Sequence, residues 1–273
     1  MNQSLAMDPM PSPAQPGALL FDRFREAVRG IDLAAIDTPA AIPADFLLEQ
    51  EGRLASYYIP FESVNTRARV VIVGITPGFA QWKNAVAEAQ RQMQAGTAFD
   101  ELLHRSRLAG AFSGPIRPNL AALLDAIGLH RWLGIGGCGS LFEEHAGIAQ
   151  VTSALRHPVF VNGKNYSGSP GIVASSFLRA QLLRFFADEA RALGDAVFVP
   201  MGGSVSEALD WLAAQGIIER QRVLHGLPHP SGANAERVAY FLGRKQGATL
   251  SAKTNAAQLD EARERLLAQV AQL

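Results

Sequence analysis

Four short apolar runs punctuate the chain, each closing on turn-forming residues. They are Arg69 to Thr76 before Pro77-Gly78, Ala149 to Leu155 before His157-Pro158, Ala196 to Val199 before Pro200, and Arg222 to Leu224 leading into Gly226-Leu227-Pro228. Near-continuous apolar character over so few residues predicts strands buried on both faces, as in a parallel sheet. Between the runs apolar positions recur at helical spacing, for example Phe177, Leu178, Leu182, Leu183 and Phe186. That spacing predicts helices over Ala85 to Arg107, Asn119 to Ile127, Ser175 to Leu193 and Ser204 to Gln215. Helices over Ala18 to Val28 and Ala256 to Leu273 flank them. The alternation of strand and helix predicts an α/β three-layer sandwich, with a short, mostly parallel central sheet of about four strands between helices.

Length and composition agree with this picture. A chain of 273 residues with 48% hydrophobic content holds enough apolar surface for a sizeable core. Residues 1–17 carry four prolines and read as a loose tail, with residues 18–273 forming one domain. No positively charged start precedes an apolar stretch, as a signal peptide requires, and no apolar run approaches the ~20 residues of a membrane helix. The single cysteine, Cys138, excludes an internal disulfide or a thiolate metal cluster. A reducing, cytoplasmic setting is expected, with no membrane partner.

The 25 basic and 25 acidic residues cancel overall but not locally. Residues 1–62 hold nine acids against four arginines. Between Leu155 and Ala187 there are four basic residues and no acid, and between Arg220 and Lys253 six basic residues against Glu236 alone. A local positive face, not a globally cationic surface, is therefore available to a polyanion. The same tally also fits charges scattered over solvated helix faces.

In an open α/β sheet the ligand crevice lies outside the carboxyl ends of the strands. Attention falls on Gly74-Ile75-Thr76-Pro77-Gly78, Thr152 to Pro158, Met201-Gly202-Gly203-Ser204, and His229-Pro230-Ser231-Gly232-Ala233-Asn234. The first turn exposes backbone N–H groups and the Thr76 hydroxyl; alone, such a turn is most often structural. The last adds an imidazole, a hydroxyl at Ser231, and Asn234 as a cap for a helix over Ala235 to Leu242.

Together these loops resemble the paired signature of the uracil-DNA glycosylase superfamily. Its first motif reads G-Q-D-P-Y, G-I-N-P-G or G-M-N-P-G in different branches, and this chain has G-I-T-P-G. Its second reads H-P-S-P-L-S, N-P-S-G-L-S or H-P-S-P-R-N, and this chain has H-P-S-G-A-N. Ala111-Phe112-Ser113 followed by Pro118-Asn119-Leu120 resembles the A-F-S and P-S-L stretch between them. Val151 to Pro158 sits where the mismatch-specific branch has V-T-K-L-V-D-R-P. Order and spacing hold from Arg69 to Gly243.

The resemblance implies extrusion of a nucleotide from the stack and hydrolysis of its N-glycosidic bond, without metal or cofactor. It implies that Thr76 and His229 are catalytic, with His229 donating to the base oxygen on which charge develops. Ile75, Phe79, Phe112 and Ser153 would contact the base, Phe112 by stacking and Ile75 and Phe79 through nearby amides. Phe112 also suits a core position. Ser204, Ser231, Gly232, Ala233 and Asn234 would meet DNA. A monomer acting on single-stranded or distorted DNA is expected.

Three positions depart from the family pattern. Thr76 stands where a carboxylate or amide orients the attacking water, and a threonine cannot take that water's proton at neutral pH. Ser153 replaces an asparagine that reads the pyrimidine edge. Ala233 replaces a bulky Leu or Arg wedge, which favours a single-stranded or already distorted substrate. The cysteines of the iron–sulfur branch are absent. These departures keep open a rival: a nucleic-acid-binding protein of the same fold that cleaves weakly or not at all.

Other motifs carry less. Gly134 to Gly139 fits G-x-G-x-x-G but follows a helix, where a dinucleotide loop follows a strand. Cys138 within it has no activating neighbour in sequence. His225 and His229 are spaced i, i+4, yet Gly226 and Pro228 forbid the helix that would align them on a metal.

Overall fold

Residues 20–111 and 116–273 are described by the structure, a computed structural model. Residues 1–17, and with them the tail expectation, lie outside the described residues, as does Phe112.

Helix α1 (Leu20–Gly30) buries Phe21, Phe24 and Val28, a spacing of three and four that keeps one face apolar. Three single-turn 3-10 segments lead into strands β1 (Leu47–Glu51) and β2 (Leu54–Tyr57). Strand β3 (Val70–Gly74) follows, every residue buried. Helices α2 (Phe79–Gln94) and α3 (Phe99–Gly110) replace the one helix expected over 85–107. The chain breaks at Gly96, whose φ of +65° lies in the left-handed region and ends α2. Helices α4 (Ile116–Ala126) and α5 (Leu129–Leu133) precede strands β4 (Ala149–Ser153), β5 (Val159–Val161) and β6 (Lys164–Asn165). The expected helix at 175–193 is α6 (Ser176–Gln181) and α7 (Ala187–Ala192), joined through a π turn at Leu182–Phe186. Strand β7 (Val197–Pro200), α8 (Gly203–Ala214), α9 (Ala235–Phe241) and α10 (Ala256–Val270) complete the fold.

The central sheet is parallel, in the order β4-β3-β7. Gly74 pairs with Ser153 and Val73 with Pro200, so all three strands end at one level. The fourth expected strand is reduced to a single parallel bridge between Val223 and Phe198. Residues Arg220–Arg222 turn as a 3-10 segment instead, leaving Val223 and Leu224 alone in reach of β7.

Alternate residues feed opposite cores, as the period of a strand requires. Val71, Val73 and Phe198 face the cluster built with α6, α7 and α8. Val70, Ile72, Val197 and Val199 face the one built with α4, α5, α9 and α10. Burying each such side chain contributes roughly 1.5–3 kcal/mol. The molecule is thus an α/β sandwich with a small sheet. A second sheet, β1-β2-β5-β6, is antiparallel and was not expected from the sequence. It closes over a third cluster with α1, α2 and α3, in which Phe24 stacks on Tyr58 at 4.2 Å and Trp82 Nε1 donates to Tyr58 O at 2.9 Å. Among the described residues no helix is long and apolar enough to cross a membrane.

Candidate functional site

Because β3, β4 and β7 end together, the loops that follow them meet at one edge of the sheet. A methyl group placed on Gly168 would lie 2.6 Å from Ser204 Oγ and 3.6 Å from Ile75 Cδ1, and one on Gly202 would lie 3.7 Å from His229 Cδ2. Ile75, Ser204 and His229 therefore belong to one continuous rim. Ser153 sits buried at the end of β4, opposite Gly74. Asn119 at the start of α4 joins the rim from below, donating Nδ2 to Pro230 O at 3.0 Å.

The loop after β3 is locked from within. Thr76 Oγ1 donates to His157 O and accepts from Val159 N, each at 3.1 Å. Its hydroxyl staples the β3 loop to the start of β5. Gly78 N donates to Gln81 Oε1 at 2.7 Å, and Phe79 N donates to Asn165 Oδ1 at 3.0 Å. The Phe79 amide, expected to be open to a base, thus caps against β6. Below the staple, His157 is buried, its Nδ1 accepting from Ile59 N at 3.3 Å and its ring edge-on to Phe185. Burial, reinforced by Arg156, Arg184 and Arg107, pushes the His157 pKa well down, so the ring is neutral.

The neighbouring Arg156 belongs to a buried charge network. The Glu189 carboxylate on α7 receives Arg156 Nη2 at 2.7 Å, Arg107 Nη1 at 3.2 Å and Gln150 Nε2 at 2.7 Å. Burial would raise its pKa, but the two guanidiniums outweigh it and hold the carboxyl below its usual range. One side chain thereby ties α3, β4 and the Arg156-His157 segment together.

The loop at 229–234 is arranged differently. His229 is half-buried, and burial lowers its pKa. Ser231 N donates to its Nδ1 at 3.2 Å, which places the proton of the neutral ring on Nε2. That Nε2–H has no partner among the described residues. Gly232 and Ala233 are exposed. Asn234 does not cap α9 as expected: its Nδ2 donates to Ser231 Oγ at 3.2 Å and its Oδ1 accepts from Arg237 Nη1 at 3.3 Å. Ser204 lies in the first turn of α8, as its glycine-led start suggested.

A cleft of about 640 Å³ opens beside this second loop, lined by Gly202, Gly203, His229, Asn234 and residues of α9 and α10. Ile75, Thr76, Phe79 and Ser153 do not line it. The structure thus brings His229, Ser231 and Asn234 to an open surface while turning Thr76 inward. Arg237, Lys253 and Arg265 on the cleft wall were not singled out as site residues, although the basic tally over 220–253 pointed to two of them. His225 lies 3.4 Å from Asp210, apart from His229, and no group of three or more metal-ligating side chains occurs among the described residues. The Cys138 thiol is buried, and desolvation with Asp125 beside it pushes its pKa up, away from reactivity.

No family model and no solved structure matches the chain. It is 35% identical over 223 residues to the uncharacterized protein YoxB of Bacillus subtilis (strain 168), a match covering 81% of this chain and 87% of that protein. An identity of that level over most of both chains means a shared fold and descent, and the chain belongs to the family of YoxB.

Proposed function

We propose that the chain is a DNA glycosylase-like protein that binds an extruded nucleobase at the rim between Ile75, Ser153 and His229 and hydrolyses its N-glycosidic bond. The observation that carries this reading is His229, a residue lining the cleft, held neutral with Nδ1 engaged by Ser231 N and Nε2–H without a partner among the described residues. When the glycosidic bond breaks, its electron pair leaves with the base. A fixed N–H donor at the base oxygen stabilises that charge more than it stabilises the bound substrate. Water then adds to the sugar cation, and its proton passes to solvent. Thr76 contributes by holding the loop against His157 and Val159, not as a base. Uracil or another deaminated base is the substrate class, in single-stranded or distorted DNA, and repair of such bases is the role.

A second reading has its own observation. The Thr76 hydroxyl is engaged on both sides by backbone, which leaves no side chain at this position to orient water. That favours a protein which binds the base without cleaving it. A cytoplasmic setting and a monomer accompany either reading.

Single- and double-stranded oligonucleotides carrying uracil, hypoxanthine or xanthine, followed by detection of alkali-labile sites, separate the two. Cleavage of at least one substrate is expected. Binding without cleavage on all of them would establish the second reading, and neither binding nor cleavage would end both.

A further inference from the structure

The cleft beside His229 runs on between α9 and α10, and the charge on its far wall has no part in base binding. Arg237, Lys253 and Arg265 line it against one acid, Glu261. The wall is built by a dense set of bonds. The Glu236 carboxylate accepts Lys245 Nζ at 2.7 Å, Ser251 N at 3.1 Å, and the Ser251 and Thr254 hydroxyls at 2.6 Å each. One side chain of α9 thereby fastens the whole 245–254 loop. Arg237 Nη2 donates to Lys253 O at 3.0 Å from the same helix. Lys253 is presented by a fixed backbone, yet its ammonium has no partner among the described residues. Opposite, Gly226 at φ +113° lets α10 approach so closely that an added methyl would lie 2.9 Å from Ala262 Cβ and 3.3 Å from Arg265 Nη2. Arg265 is thus drawn onto the cleft floor, and its one acid, Glu261, stands 3.5 Å away in an exposed pair of little strength.

We propose that this cleft is the track of a single DNA strand, with phosphates seated along Arg237, Lys253 and Arg265 while one base turns in at His229. The inference rests on the base-binding reading of the His229 loop for where the strand leads. The shape of the site favours a strand over a duplex: the cationic side chains lie within a concave cleft of about 640 Å³ lined by residues of α9 and α10 and are not spread over an open face. A positively charged groove that follows a backbone is how single strands are held without regard to sequence. With about three phosphates neutralised, the logarithm of affinity should fall against the logarithm of salt with a slope near −2.

Fluorescence anisotropy with an unmodified single-stranded 12-mer tests this without relying on excision. The pair Lys253→Glu and Arg265→Glu should bind about tenfold or more weakly and flatten the salt slope to about −1 or less. A control pair at the opposite edge of the sheet, Arg67→Glu and Arg131→Glu, should bind like the wild type. Equal affinity and slope in the cleft variant overturn the proposal. So does duplex bound as tightly as single strand, or displacement by polyglutamate or a deoxynucleoside monophosphate as effective as by unlabelled 12-mer. His229→Ala separates the two claims: it should lose excision while the salt slope stays near −2, because a neutral imidazole makes no phosphate contact to lose. Loss of binding in the cleft variant alongside a wild type that excises nothing would leave the track standing and remove the glycosylase reading. Intact excision with unchanged binding in the cleft variant would do the reverse.

Discussion

Two loops with related letters sit at the same sheet edge and are used in opposite ways. In Gly74 to Gly78 the polar groups turn inward: Thr76 to His157 and Val159, Gly78 to Gln81, Phe79 to Asn165. In His229 to Asn234 the bonds of Asn119, Ser231 and Asn234 hold the loop, and the His229 Nε2–H has no partner among the described residues. The polar groups of the first loop hold the scaffold, and the second keeps a donor available. A glycine-proline turn at a strand end offers donors only where the rest of the fold has not already claimed them. The two loops should therefore answer differently to substitution, with stability moving in one and activity in the other.

The largest stability effect should come from beneath the scaffold loop. Glu189→Gln leaves Arg107 and Arg156 buried without their counter-charge, and urea unfolding should show a loss of about 3–5 kcal/mol. A loss under about 1 kcal/mol would mean that the network does not support the loop. Thr76→Val should cost about 1–3 kcal/mol, because His157 O and Val159 N lose their partner, and Thr76→Ser should restore most of it. An unchanged midpoint in Thr76→Val would release Thr76 from its scaffold role.

The pH dependence of stability follows from His157. Unfolded, its imidazole takes up a proton below about pH 6.5. Folded, it stays neutral to a much lower pH. The unfolded state then binds more protons, so stability is full above about 6.5 and declines as pH falls toward the folded value. The contribution is up to about 1.4 kcal/mol per pH unit, and His157→Gln should flatten the decline by that amount. Glu62, whose carboxyl is raised by burial, opposes the decline by taking up a proton in the folded state. A pH dependence from about 6.5 to about 5 that is the same in wild type and His157→Gln would contradict a neutral buried His157. Asn165→Ala gives the smallest effect: with one exposed cap to Phe79 N removed, about 0.5–1 kcal/mol is expected in thermal unfolding.

The parallel sheet was legible because Val70–Gly74 and Val197–Pro200 are apolar at every position, the consequence of cores on both faces. Other features had no local signal. Strand β1 reads Leu-Leu-Glu-Gln-Glu without alternation, and β6 is two residues long, so the antiparallel sheet comes from pairing across the fold. The Arg222–Leu224 run looked like its neighbours, but the turn ahead of it left one residue to bridge. At the site, the motif letters led to both loops and to His229. They did not tell that Thr76 would close on His157, 81 residues along the chain. What a side chain has left to offer depends on distant partners, which short motifs do not encode. Arg265 escaped for the same reason, since it reaches the cleft only where Gly226 lets α10 approach the loop before His229.

In the proposed reaction His229 is the open donor of the second loop. Single-turnover release of uracil or hypoxanthine from a single-stranded oligonucleotide, compared between wild type and His229→Ala, tests it most directly. The wild type should release base, and the variant should do so about a hundredfold or more slowly while unfolding at nearly the same midpoint. Equal rates in the two proteins would contradict the assignment.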